Sequence, residues 1–192
     1  MRALGTLMIL LPFVGCTSLA RKVENDPYVL DYTFSPYFSP DSIGTVAVFS
    51  RLEGAPKPSL DKVAYDAATL QLLKTGKMDV VDRARTEEIL REQEFSYSGL
   101  VDQNTAVRLG KLLGAKAVLF LDFISFEEDI DSYIVRVNAK LIDVETGRIL
   151  YVASALGGGW SLEEAVSNAV KTALKPMILK AVPGEGQQYD RQ

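Results

Sequence analysis

The stretch that decides the fold runs from Ala117 to Leu156 and reads AVLFLDFISFEEDIDSYIVRVNAKLIDVETGRILYVASAL. Residues 117–126 are strongly apolar and rich in β-forming side chains. Residues 133–143 alternate between two faces, which is the period of a half-buried strand. The return strand is predicted over residues 148–156. We therefore predict an antiparallel meander of three strands.

The turns of this meander are marked by charged residues and glycine. Glu127–Asp131 is predicted to be the first turn, and Glu145-Thr146-Gly147 the second, because glycine supplies the positive φ of a tight hairpin. Gly157-Gly158-Gly159 is predicted to break the last strand. Ser161 and Glu164 form a capping box, which predicts a final helix that Pro176 kinks or ends.

Upstream of the meander the apolar residues follow a helical period between short apolar runs. These patterns predict a strand over 46–49, a helix over 59–75, a strand over 78–81, a helix over 86–94, and a helix from residue 102 or 104 to 114. The element order is β-α-β-α-α-β-β-β-α. It predicts an α/β (α+β) fold with a single mixed sheet, a C-terminal antiparallel meander and helices packed on the sheet.

The N-terminus has the features of a secretory signal, and it ends at the chain's single cysteine. Arg2 precedes an apolar stretch that ends in Gly15-Cys16. This end resembles the lipobox of bacterial lipoproteins, which implies that Cys16 carries acyl chains and becomes the new N-terminus. Thr17 in place of aspartate implies transport to the outer membrane. A plain signal peptide, a membrane anchor and a buried cysteine are the alternatives.

Residues 16–42 are predicted to be a linker, because three prolines interrupt them and they show neither a helical nor an alternating period. The linker is rich in aromatic side chains, namely Tyr28, Tyr32, Phe34, Tyr37 and Phe38. A flexible tether would instead be rich in glycine, serine or charge. We expect these rings to cover an edge of the domain's own sheet or helices. The alternative is docking onto a partner or a neighbouring subunit.

Composition excludes several classes of function. The chain has no histidine, which removes histidine-based acid–base catalysis and the commonest metal ligand. Its net charge of −4 is unfavourable for binding the negatively charged backbone of nucleic acid. The acidic residues 127–131 lack the glycine and the distal glutamate of a calcium loop. We predict no enzyme activity, no cofactor and no metal site. The domains predicted are a signal peptide (1–15), a lipidated linker (16–42), an α/β domain (43–182) and a disordered tail (183–192).

An ordered series of short segments resembles a known family. The series reads VVDR at 80–83, EILREQ at 88–93, SGL at 98–100, LGKLLGAK at 109–116 and LIDVETGRIL at 141–150. It is similar to the CsgG-like curli-secretion lipoproteins and to the LpoB-like activators of peptidoglycan synthases, over residues 43 to 180. The curli channel extends two hairpins that form an outer-membrane barrel. The links at 127–132 and 157–160 are too short for spanning hairpins, so we expect the periplasmic core alone.

Together these features predict a periplasmic lipoprotein on the outer membrane that acts as an adaptor in envelope assembly or secretion. The predicted partners are the membrane, through the acyl chains, and an envelope protein. Activation of a peptidoglycan synthase and a homo-oligomeric accessory subunit of a secretion complex are the alternatives. Further candidate contacts are Phe95, Tyr97 and Trp160. For Trp160 the alternative is a ring that packs on the start of the last helix.

Overall fold

The computed structural model describes residues 28–52, 55, 57, 59–92 and 103–182. Cys16, Phe95, Tyr97 and the predicted tail therefore lie outside the described residues. The described elements are, in chain order, β1 (Val29–Phe34), α1 (Pro40–Ile43), β2 (Gly44–Arg51), α2 (Leu60–Leu73), β3 (Met78–Val80), α3 (Arg83–Glu92), α4 (Gln103–Leu113), β4 (Ala117–Asp129), β5 (Ser132–Asp143), β6 (Ile149–Gly159) and α5 (Leu162–Ala181).

The strands form one six-stranded sheet in the order β1-β6-β5-β4-β2-β3. Strand β2 pairs in parallel with β3 on one side and with β4 on the other. Strands β4, β5 and β6 form the predicted antiparallel meander. The mixed sheet with packed helices confirms the predicted fold class.

Strand β1 was not predicted, and it lies inside the segment assigned to the linker. It pairs antiparallel with β6 from Val29 to Phe34. Helix α1 follows it, and Phe38 and Ile43 are buried in the core. The linker prediction is therefore wrong from Val29 onwards. The pairing is long-range in sequence, so no local period announces it.

The first turn of the meander is shorter than predicted. Strand β4 continues through Glu127 and Glu128, which pair with Ile134 and Tyr133. The turn is reduced to Ile130 and Asp131, between the end of β4 and the start of β5. Continued cross-strand pairing satisfies backbone groups that a longer loop would leave to water. The second turn is as predicted, with Gly147 at a φ of 70°.

The three glycines do not break the last strand, contrary to the prediction. Gly157, Gly158 and Gly159 are the last residues of β6 and pair with β5. Helix α5 packs directly on this strand. A Cβ added at Gly157 would lie 2.0 Å from the backbone nitrogen of Ala169. Glycine is therefore required by close approach of the helix backbone, and not by a turn.

Helix α5 also departs from the prediction, because it continues through Pro176 to Ala181. Met177 and Ala181 are fully buried, and Ile178 is nearly so. Burial of this last turn offsets the hydrogen bond that proline removes. At its other end the predicted cap is confirmed, since the Ser161 hydroxyl accepts from the Glu164 N–H at 3.1 Å.

The remaining helices agree with the sequence apart from their ends. Helix α3 begins at Arg83, where the Asp82 carboxylate accepts from the Ala84 N–H at 2.8 Å. At the start of α2, Ser59 makes no capping hydrogen bond with its side chain. Gly76 and Gly114 follow α2 and α4 with positive φ, which is typical of glycine at a helix C-terminus.

The core lies on both faces of the sheet. On one face α2 and α5 pack across the sheet, where the largest fully buried side chain is Tyr151. Its hydroxyl donates to the Ala173 carbonyl oxygen at 2.6 Å, and burial raises the pKa of this phenol. On the other face a smaller cluster holds α3 and α4 against β2 and β4. The described helices leave β1, β6 and most of β5 uncovered on that second face.

Candidate interaction surfaces

The N-terminal aromatic residues divide into a buried group and an exposed group. Phe38 is buried, and Tyr32 and Phe34 pack against the main core. The Phe34 ring lies 4.8 Å from the rings of both Phe38 and Tyr151, measured between centroids. These three residues therefore cover the domain's own sheet, as expected. Phe38 is buried, whereas Tyr32 and Phe34 remain partly exposed to solvent.

Tyr28 and Tyr37 form the exposed group. Half of Tyr28 and 64% of Tyr37 are accessible to solvent. The Arg148 guanidinium lies 4.2 Å from the centroid of the Tyr37 ring, which is a cation–π distance. This contact holds the ring beside the turn between β5 and β6. Tyr28 lies at the opposite end of the sheet, since its carbonyl oxygen accepts from the Leu156 N–H at 2.8 Å.

The uncovered part of the second face, which we call the open face, is a shallow depression of about 220 Å³. Polar side chains surround an apolar floor that includes Phe120 and Val152. The polar side chains at the depression are those of Asp31, Thr33, Asp122, Asn138, Lys140 and Ser154. Arg51 binds Asp122 with two hydrogen bonds of 2.7 and 2.6 Å. Because that pair is mutually neutralised, the depression carries little net charge.

A second polar group lies where the parallel strands β2 and β3 end. The Ser50 hydroxyl donates to Asp61, and the Arg83 guanidinium contacts Asp61 at 2.9 Å and Glu87 at 2.7 Å. Nearby, the Tyr65 hydroxyl donates to the Val81 carbonyl oxygen, and burial is the main reason that the pKa of Tyr65 is raised. These contacts join α2 to α3 and satisfy one another.

The third surface lies at the end of the sheet that carries the β4–β5 turn, which we call the hairpin end. Its most exposed large apolar side chains are Trp160, at 79%, and Ile130, at 95%. Trp160 donates its backbone N–H to the Glu164 carboxylate at 2.8 Å. Its ring, however, is not packed on the helix. Ile130 was not singled out from the sequence, although an isoleucine between acidic residues in a turn is the signal that could have identified it.

Ion pairs surround this hairpin end. Lys57 and Glu163 are 2.9 Å apart, so the pKa of Lys57 is raised and that of Glu163 is lowered, in each case chiefly by their hydrogen bond. The Tyr133 hydroxyl donates to Glu128 at 3.0 Å, and that bond is the main reason that the pKa of Tyr133 is raised. In the described part of the chain, no group of three or more acidic, histidine or cysteine side chains has the arrangement of a metal site.

None of the described helices is both long and apolar enough to cross a membrane.

Comparison with known proteins gives a family match over the α/β domain. The family model described as curli production assembly/transport component CsgG matches residues 52–172, from the end of β2 into α5. No curated protein matches the chain significantly.

Solved structures share the fold at low sequence identity. The PelC dodecamer from Paraburkholderia phytofirmans aligns with a TM-score of 0.51 at 17% identity, over 77% of this chain and 94% of that one. The C-terminal domain of LpoB from Salmonella enterica aligns with a TM-score of 0.44 at 15% identity, over 72% and 90%. Lipoprotein GNA1162 from Neisseria meningitidis gives a TM-score of 0.45 at 19% identity, over 59% and 78%.

Proposed function

The chain belongs to the CsgG family of curli production assembly/transport components, and from that premise we propose that it is a non-enzymatic accessory protein of the cell envelope. Acyl chains on Cys16 hold it on the periplasmic face of the outer membrane. There it acts as an adaptor in assembly or secretion. The observation that carries this proposal is the family match over residues 52–172, which covers most of the α/β domain.

The proposed mechanism is tethering. Confining the domain to the membrane raises its effective concentration near membrane-bound partners, without any new contact. Two acyl chains are needed for stable anchoring, because one alone gives only reversible binding. The proposed protein contacts are Tyr28 and Tyr37, whose rings are exposed, together with Phe95 and Tyr97.

The docking of β1 on the sheet sets how far the domain reaches from its anchor. A free linker over 17–42 would extend at most ~90 Å, at ~3.5 Å per residue. With β1 paired to β6, only residues 17–27 separate Cys16 from Tyr28, and they extend at most ~40 Å. This short reach favours an adaptor close to the outer membrane over an activator that works across the periplasm on a peptidoglycan synthase.

A homo-oligomeric accessory subunit is the second candidate function. The fold likeness with a TM-score above 0.5 is to a protein that assembles as a dodecamer. Size-exclusion chromatography with light scattering on residues 17–192 tests this candidate. A mass that is a multiple of the monomer at micromolar concentration supports self-assembly, and a monomer under the same conditions contradicts it.

The anchoring proposal is tested by mass spectrometry of the native protein and by membrane fractionation of Cys16→Ser. We expect a mature N-terminus at Cys16 with added lipid mass, and loss of the Ser variant from the outer membrane. Thr17→Ser is the matched control, since it changes the neighbouring residue and keeps the thiol. A native chain that retains Met1, or a Ser variant that stays at the outer membrane, would refute the anchor.

A further inference from the structure

Two strongly exposed apolar side chains, Trp160 and Ile130, lie at the hairpin end, and a third, Tyr28, lies towards it, although they are far apart in the sequence. Strand β6 runs towards Trp160, and Gly159, just before it, pairs with Tyr133 at the start of β5. Ile130 occupies the turn just before β5, so it lies at the same end. Tyr28 joins the sheet nearer this end than the opposite one, because its carbonyl oxygen accepts from the Leu156 N–H, four residues before Trp160. The accessible fractions are 50% for Tyr28, 79% for Trp160 and 95% for Ile130.

The chain itself brings this end towards the membrane, if the acyl anchor of the proposed function holds. The segment that follows Cys16 joins the sheet at Tyr28. It therefore meets the domain at the end that carries Trp160 and Ile130, and not at the opposite end near Tyr37. The tether of at most ~40 Å therefore leaves the domain on the side of the sheet that carries this tip.

We propose that the hairpin end seats on the lipid surface, with the Trp160 ring in the headgroup region and the Ile130 side chain below it. Tryptophan and tyrosine favour this interface because one edge of the ring is apolar and the other can hydrogen-bond. Ile130 protrudes from a two-residue turn, and a fluid interface accepts such a tip without a preformed pocket. A protein partner would need a cavity matched to it.

The charges around Ile130 indicate which lipid headgroups the hairpin end can approach. The exposed carboxylates of Glu127, Glu128 and Asp131 flank Ile130. Glu163 is paired with Lys57, so it adds no net charge. An acidic rim is repelled by anionic headgroups. The hairpin end therefore seats on a zwitterionic surface, and binding weakens as the anionic lipid fraction rises.

The single tryptophan of the chain reports this seating directly. The acylated full-length protein is reconstituted into phosphatidylcholine vesicles, with and without phospholipids brominated on the upper acyl chain. We expect the Trp160 emission to shift to the blue and to be quenched by the brominated lipid. The Trp160→Phe/Tyr37→Trp double variant is the matched control, because it places the only indole at the opposite end. Its emission should be unaffected by bromination.

Two variants keep the test independent of the anchor. The unacylated chain from residue 17 onwards, which lacks the apolar signal segment, is titrated with the same vesicles, and Ile130→Ser is compared in that background. Ile130 is 95% exposed, so its replacement leaves the core intact. We expect Ile130→Ser to lower the partition coefficient about tenfold, as loss of one buried aliphatic side chain predicts.

The outcomes separate this inference from the anchoring proposal. Added lipid mass on Cys16 with no quenching of Trp160 overturns the seating and leaves the anchor standing. If the native protein carries no lipid on Cys16 but Trp160 is quenched in the unacylated chain from residue 17 onwards, the anchor is refuted and the seating is supported. A blue shift that depends on protein concentration without lipid indicates contact between copies, and stronger binding to phosphatidylglycerol vesicles indicates a different surface. Either result overturns the inference.

Discussion

Substitution of Gly157 by alanine should separate helix α5 from the sheet. The added Cβ would lie 2.0 Å from the Ala169 nitrogen and 2.3 Å from the Ala165 carbonyl oxygen. Ordinary contact requires about 3.4 Å, so the helix backbone must withdraw by roughly 1.4 Å at this point. Both obstructing atoms belong to the backbone, so no rotation of a side chain relieves the contact.

The expected cost follows from what the helix buries. The face of α5 that rests on the sheet includes Leu162, Val166 and Val170, all buried. Overpacking a well-packed core costs about 1–3 kcal/mol where side chains can adjust. Since here the whole helix must move, we expect Gly157→Ala to lower the free energy of unfolding by about 3 kcal/mol.

Gly158 is the matched control in the same strand. A Cβ there would meet only the Tyr133 carbonyl oxygen, at 4.0 Å, and its φ is not positive. Gly158→Ala should therefore be neutral or stabilise the protein by up to about 1 kcal/mol, through the lower entropy of the unfolded chain. Equilibrium urea unfolding followed by circular dichroism gives both values. Equal midpoints for the two variants would show that the helix does not approach the strand in the way described.

Three further predictions use the same assay or a titration. Tyr151→Phe removes a buried hydrogen bond to a helix carbonyl and should cost about 1 kcal/mol, whereas an unchanged unfolding midpoint would show that the bond adds nothing. Arg83→Met leaves two part-buried carboxylates without their guanidinium and should cost about 2 kcal/mol, with Arg83→Lys losing less. The pKa of Glu163, lowered by Lys57, should return towards its ordinary value in Lys57→Met, as followed by NMR titration. Because the folded-state pKa is the lower one, the stability from this pair is present above the ordinary glutamate pKa and is lost as the pH falls through the lowered value.

The meander and the helices were predictable because their signals are local. The alternation in residues 133–143 gives the faces of β5, and Gly76 and Gly114 end their helices through backbone conformations that glycine tolerates best. The predictions that failed depend on contacts between residues that are far apart in the sequence. Strand β1 exists because β6 offers it a free edge, from Tyr151 to Ala155. Residues 29–34 are rich in strand-forming side chains, but they show no alternating period and the segment is followed by prolines, so the pairing with β6 was not predicted.

Glycine and proline show why local rules fail at particular positions. Local propensity predicts that Gly157–Gly159 ends a strand and that Pro176 ends a helix. The structure reverses both because of one tertiary contact. Helix α5 lies so close to β6 that the strand needs glycine there, and its last turn is buried so fully that it persists past the proline. Helix packing therefore explains two separate departures from the sequence rules.

The hairpin end could not be predicted for a different reason. Trp160 and Ile130 are separated by 30 positions, and each alone is an ordinary exposed residue. Only the register of β5 with β6 brings them to one end, and only the pairing of β1 adds Tyr28 and the direction of the tether. If β1 were unpaired, a linker of ~90 Å would join the domain at the start of β2, at the opposite end of the sheet. The strand that the sequence concealed is thus what gives the exposed tip an orientation.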